Sequence, residues 1–140
     1  MILDKRTFKK IEYYLYNSDR LKQAIEQTRK QLIEAGKPEM AGGINGIGYH
    51  SDPTAGKAIK LSTNRIIEYE KWIKTVEQVR KKYQGTDKAK FIEAKYGKGL
   101  SEREVCKQLF ISRTTFYVWR KEIVLCTGFV ALQNGVLKSL

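Results

Sequence analysis

Apolar side chains recur every three or four positions along most of the chain, the spacing of helices that bury one face. Phe8, Ile11 and Leu15 make a first run, and Leu21, Ile25, Thr28, Leu32 and Ala35 make a second. Between the runs lies Asn17-Ser18-Asp19. These short polar side chains compete for nearby backbone hydrogen bonds, so a break is expected there, with Ser18 or Asp19 capping the next helix. Gly36-Lys37-Pro38 ends that helix. From Gly42 to Gly56 glycine recurs and apolar anchors are few, which reads as a flexible loop over residues 37–56. A helix is expected to resume near Lys57. In it Ile59, Ile66 and Ile73, with Tyr69, Val76 and Tyr83, fall on the two alternating core positions of a heptad. The two long helices can pack as an antiparallel pair or as a subunit interface, and the pattern admits both.

Gly85 punctuates the chain, and Thr86-Asp87 is placed to cap a helix running through Ala89, Phe91, Ile92 and Tyr96 to Gly97-Lys98-Gly99. Ser101-Glu102-Arg103-Glu104 then has the form of a capping box. In it the Ser101 hydroxyl accepts from the Glu104 amide and the Glu104 carboxylate reaches back to the Ser101 amide. Val105, Cys106 and Leu109 make the inward face of the helix that follows, and Phe110-Ile111 makes a turn. Ser112 caps a second helix in which Phe116, Trp119 and Ile123 share a face. Phe110 occupies the turn position most often given to glycine, which tolerates a positive φ. Farther on, Thr127-Gly128 either ends this helix, or Phe129, Val130, Leu132, Val136 and Leu137 form a further helix on the core.

These elements predict an all-α protein of about six helices. A long helical N-terminal hairpin with its loop occupies residues 1–84, and a helix-turn-helix bundle occupies residues 85–140. In the latter, two short helices joined by so tight a turn allow the second to enter a DNA major groove. Its outward residues are Arg113, Thr114, Tyr117, Val118, Arg120 and Lys121. Arginine can donate two bonds to a guanine edge and threonine can bond a base or touch a thymine methyl. Tyrosine, lysine and the helix N-terminus can hold phosphates. The expected DNA-binding residues are therefore Arg113, Thr114, Tyr117, Arg120 and Lys121, with Ser112 as cap.

Charge agrees with a polyanionic partner. The 140 residues hold 27 Lys+Arg against 15 Asp+Glu, a formal +12. The positive charge is spread over the helical segments and absent from the loop, which suits a long basic surface rather than a basic tail. No run approaches the ~18 consecutive apolar residues of a spanning helix, and the N-terminus lacks a signal-peptide stretch, so a cytoplasmic protein is expected. Cys106 and Cys126 form no zinc pattern and no disulfide framework. Cys106 reads as a packing residue where two helices approach closely. No cofactor, metal or membrane is expected.

The layout resembles the late transcription regulators of the RinA and ArpU type found in phages and prophages of low-GC Gram-positive bacteria. The matching features are the N-terminal helix pair, the Gly-rich loop ending in Ser51-Asp52-Pro53-Thr54, and a helix bearing Trp72-Ile73. They continue in the Phe91-Ile92 helix with Tyr96 and in Leu109-Phe110-Ile111-Ser112-Arg113-Thr114-Thr115-Phe116-Tyr117. The resemblance implies a C-terminal helix-turn-helix like the promoter-reading region of sigma factors, acting on a late-gene promoter beside host RNA polymerase.

Three rivals are weighed against this. An enzyme would rest on His50 and Asp52 in the Gly-rich loop, but no second base, nucleophile or phosphate-loop ending accompanies them, so no catalysis is expected. A phage terminase small subunit also combines DNA binding with helical self-association, though those subunits resemble the reverse order of parts. A helical adaptor would use Tyr13, Tyr14, Tyr16, Tyr69 and Trp72 as an exposed surface. A homodimer through the long helices is compatible with each.

Overall fold

The computed structural model describes the backbone of residues 3–35 and 53–139, and the side chains of residues 3–33 and 64–139. The fold is all-α, with no strand among the described residues. Among the described residues five helices follow one another: α1 (Lys5–Ala35), α2 (Pro53–Lys82), α3 (Asp87–Ile92), α4 (Glu102–Leu109) and α5 (Arg113–Gln133). A π-helical turn, Glu93–Gly97, extends α3.

The expected break at residues 17–19 does not occur. Asn17 Nδ2 donates to the Tyr13 carbonyl at 2.8 Å, within the helix, and Ser18 is buried. Ser18 continues the inward row Ile11, Tyr14, Leu15 at helical spacing, so packing outweighs the residue's weak helix propensity. The second long helix also starts earlier than Lys57. It begins at Pro53, where a fixed φ and a missing N–H suit the first helical position. Residues 53–56 of the expected loop are therefore helical, and the rest of it, with His50 and Asp52, lies outside the described residues. The cations Arg80, Lys81 and Lys82 in the last turn of α2 face the negative end of its dipole.

Met1–Asp19 and Lys71–Leu140 form one compact unit and Arg20–Glu70 another. In the smaller unit Ile25 is buried and Arg29 is ion-paired with Glu70. In the larger unit the core joins Ile11, Tyr14 and Leu15 of α1 to Trp72, Val76 and Val79 of α2. Tyr14 and Trp72 stack with ring centroids 4.3 Å apart, a pair worth about 1 kcal/mol beyond its area. Among the described side chains the buried row of α2 is thus Trp72, Thr75, Val76 and Val79, which shares Val76 with the expected heptad and leaves Ile66, Tyr69, Ile73 and Tyr83 out of it; the Ile59 side chain lies outside the described residues. Phe91 of α3 lies under α5, with its ring centroid 5.1 Å from that of Phe116 and 6.1 Å from that of Trp119.

Gly85 turns the chain into α3 at a φ of 82°. Thr86 stands at the N-cap, but its hydroxyl donates to the Tyr83 carbonyl at 2.5 Å and leaves the helix amides to others. The π-turn follows from the wider ring closed by the Lys98 amide on the Glu93 carbonyl at 2.8 Å. It buries three consecutive residues, Ala94, Lys95 and Tyr96, which a regular α-helix would spread over more than half its circumference. At the other end, α5 neither stops at Thr127-Gly128 nor yields to a separate tail helix. Both residues are buried inside it, and Thr127 Oγ1 donates to the Ile123 carbonyl at 2.7 Å.

Candidate nucleic-acid interface

Local hydrogen bonding builds the α4–α5 pair. Ser101 Oγ accepts from the Glu104 amide at 3.3 Å, and the Glu104 carboxylate takes the Ser101 hydroxyl at 3.0 Å in place of the expected Ser101 amide. At the far end of α4, Phe110 adopts the left-handed conformation at φ 56° and ψ 45°. The Phe110 amide donates to the Cys106 carbonyl, which also accepts from the Ile111 amide at 3.1 Å. This closes the helix in the manner of a Schellman cap with phenylalanine at the glycine position. Ser112 then caps α5, its hydroxyl oxygen accepting from the Thr115 amide at 3.1 Å.

Val105, Phe116 and Ile123 hold the two helices on the core. Cys106 sits half-buried at their junction, and its Sγ donates weakly to the Ser112 carbonyl at 3.8 Å. Burial and the nearby Glu102 charge push its thiol pKa up, against the opposing pull of Arg113, which favours a protonated packing residue over a nucleophile. Among the described residues no group of three or more His, Cys, Asp or Glu side chains is placed to hold a metal.

Five of the six expected site residues share the solvent face at the start of α5: Ser112, Arg113, Thr114, Tyr117 and Lys121 are all exposed, as is Val118. Arg120 does not join them. It turns inward and clamps Glu12 of α1 with two hydrogen bonds, Nε to Oε2 at 2.9 Å and Nη2 to Oε1 at 2.6 Å, and its guanidinium covers the Phe8 ring. A long side chain near the edge of the inward face meets the buried carboxylate of Glu12, and pairing removes the cost of leaving that charge alone.

Glu12 is the centre of a largely buried cluster. The Tyr96 hydroxyl donates to its Oε2 at 2.8 Å and Lys95 Nζ lies 3.5 Å away. Lys95 is also bonded to the Tyr16 hydroxyl and covered by the Tyr16 and Tyr96 rings, at 4.6 and 4.4 Å from their centroids. Burial raises the Glu12 pKa. The bonds from Arg120 and Tyr96 and the charges of Lys95 and Arg120 more than offset this, and the carboxyl is held below its ordinary value. Burial, reinforced by Glu12, pushes the Tyr96 hydroxyl strongly up, so it remains a donor.

The exposed surface gains two cations that the α5 pattern alone did not reveal. Arg103 and Lys107 lie one turn apart on α4, both exposed and both opposite the buried Val105. Their spacing of four around an inward valine was the available signal. Among the described residues Arg103, Lys107 and Lys121 belong to no ion pair, whereas Arg113 Nε lies 2.7 Å from Glu102 Oε1. Phe110, 95% exposed, projects from the turn between the two helices.

The aromatic residues of the adaptor reading divide. Trp72 and Tyr14 are core, and Tyr13 and Tyr16 are exposed, with Tyr16 committed to Lys95. No described helix is long and apolar enough to cross a membrane. No family model, no curated protein and no solved structure matches this chain.

Proposed function

We propose that the chain is a sequence-specific DNA-binding regulator that reads the major groove with the first turns of α5. The observation that carries this reading is the exposed row Arg113, Thr114, Tyr117, Val118 and Lys121, flanked on α4 by the unpaired cations Arg103 and Lys107. Thr114 and Val118 offer a thymine methyl an apolar contact, and Arg113 offers a guanine edge two donors. Arg103, Lys107 and Lys121 suit phosphates, and the Ser112-capped N-terminus of α5 adds its dipole.

Diffuse charge first captures any duplex, and insertion of α5 then selects a sequence. The resemblance to late regulators of the RinA and ArpU type adds a promoter as the target, host RNA polymerase as a partner and the cytoplasm of a bacterial host as the setting. The N-terminal helices are the candidate homodimer surface.

The test is binding of the purified chain to duplex fragments from upstream of its neighbouring genes, against random duplex, over a salt series. A preference of ~10³ or more for one fragment at physiological salt supports a specific regulator. Equal and steeply salt-dependent binding to every fragment removes the regulator reading. A ring-sized oligomer in the same preparation favours the packaging subunit.

A further inference from the structure

We infer that Glu102 is a specificity-determining positioning residue, fixing the Arg113 guanidinium for a guanine edge while weakening attachment to DNA of any sequence. This inference rests on the DNA-binding reading above.

Glu102 opens α4 and faces the start of α5. Both of its carboxylate oxygens are used. Oε1 lies 2.7 Å from Arg113 Nε, and Oε2 accepts from the Tyr117 hydroxyl at 2.6 Å. The Arg113 guanidinium also lies over the Tyr117 ring, 5.9 Å from its centroid. Carboxylate, phenol and guanidinium thus form a closed triangle across the two helices. Yet the Arg113 side chain stays 78% exposed.

Glu102 at Nε and Tyr117 beside the guanidinium hold an exposed arginine whose terminal amines are its remaining donors. Those are the groups that donate side by side to O6 and N7 of guanine. An unrestrained arginine must give up rotamer freedom when it binds, and an arginine already restrained at Nε gives up less. The benefit reaches only the duplex that offers the matching edge.

The same carboxylate has a second effect. Set among phosphate-binding cations, it repels every DNA backbone alike, and it lowers the affinity that comes from charge alone. Only the first effect acts on discrimination: the repulsion lowers specific and random affinity by the same factor, so the specific-to-random ratio reports the positioning of Arg113 alone. A carboxylate serving only as the acidic residue of a helix first turn would alter both by the same factor through stability.

The experiment uses the full chain. A preferred duplex is selected from a randomised pool with the wild type, and Kd on that duplex and on random duplex is then measured for wild type, Glu102→Ala and Tyr117→Phe over a salt series. Thermal unfolding of each is recorded in parallel. In Glu102→Ala the random-duplex affinity is expected to rise, and the specific-to-random ratio to fall by about tenfold. Tyr117→Phe, which frees Oε2 but keeps the ring, is expected to lower the ratio by a smaller factor and serves alone if Glu102→Ala does not fold. An unchanged ratio overturns the inference, whether both affinities rise together as for a simple charge or fall together with the melting temperature; the DNA-binding reading then stands. If the wild type selects no sequence from the pool, the reading itself fails and the inference with it.

Discussion

Arg120 and Glu12, 108 positions apart in the chain, are joined by two hydrogen bonds that tie the middle of α5 to α1. The helix proposed to read DNA is therefore anchored at its back by a charge pair rather than by apolar packing alone. Lys95, brought inward by the π-turn, adds a second cation to the same carboxylate. One anion thus serves two buried or half-buried cations, and its removal is felt by both.

Glu12→Ala is expected to destabilise the fold by about 3 kcal/mol, because it strands Lys95 and Arg120 in a largely dry cluster. Arg120→Ala leaves Glu12 with Lys95 and Tyr96 and is expected to cost less, about 1–2 kcal/mol. Urea unfolding with an unchanged m-value measures both. A stable Arg120→Ala protein with weakened DNA binding would return Arg120 to the groove and contradict its inward role.

The Glu12 pKa lies below its ordinary value of 4.5 in the folded chain. The unfolded chain consequently binds more protons as pH falls below that value, so stability is favoured by higher pH in this window. The contribution of Glu12 is fully present above about pH 5 and is lost as pH falls through the folded pKa. Acid unfolding followed by circular dichroism should lose part of its slope in Glu12→Gln. An identical acid limb for the variant would mean that other carboxylates control it.

Arg113→Ala should weaken the preferred duplex by about 1–3 kcal/mol and relax its selectivity. Lys121→Ala, and likewise Arg103→Ala or Lys107→Ala, should weaken all duplexes about equally and reduce the salt slope by roughly one. Equal loss on specific and random DNA for Arg113→Ala would remove it from base recognition.

Phe110→Gly should raise stability by about 1 kcal/mol, since glycine adopts the left-handed conformation at this turn without a Cβ clash. Differential scanning calorimetry would record an increase of a few degrees in Tm. If the exposed ring also contributes to binding, DNA affinity falls while Tm rises, a separation that neither effect alone produces. A decrease in Tm would show that the ring makes stabilising contacts despite its exposure.

Much of the α4–α5 pair was legible from residues 101–123. Its caps at Ser101 and Ser112 act over three residues, and the turn between them is too short to take many forms. The helical character of the long segments was legible for the same reason. Their continuity was not: Asn17, Ser18 and Asp19 carry local signals for a break, and only a partner surface can supply the burial that overrides them. The π-turn was equally hidden, since its pattern of three adjacent buried residues fits no regular period.

By itself, then, the sequence determined the all-helical class, the placement of the C-terminal caps and the excess of positive charge, all set by composition and by neighbours within one helical turn. Tertiary structure alone decided which cations remain available. Arg120 and Arg113 are alike in type and lie on the same helix, yet one meets Glu12 inside and the other meets Glu102 at the surface. A side chain of that length has several directions open to it, and the carboxylate that settles the choice comes from another helix.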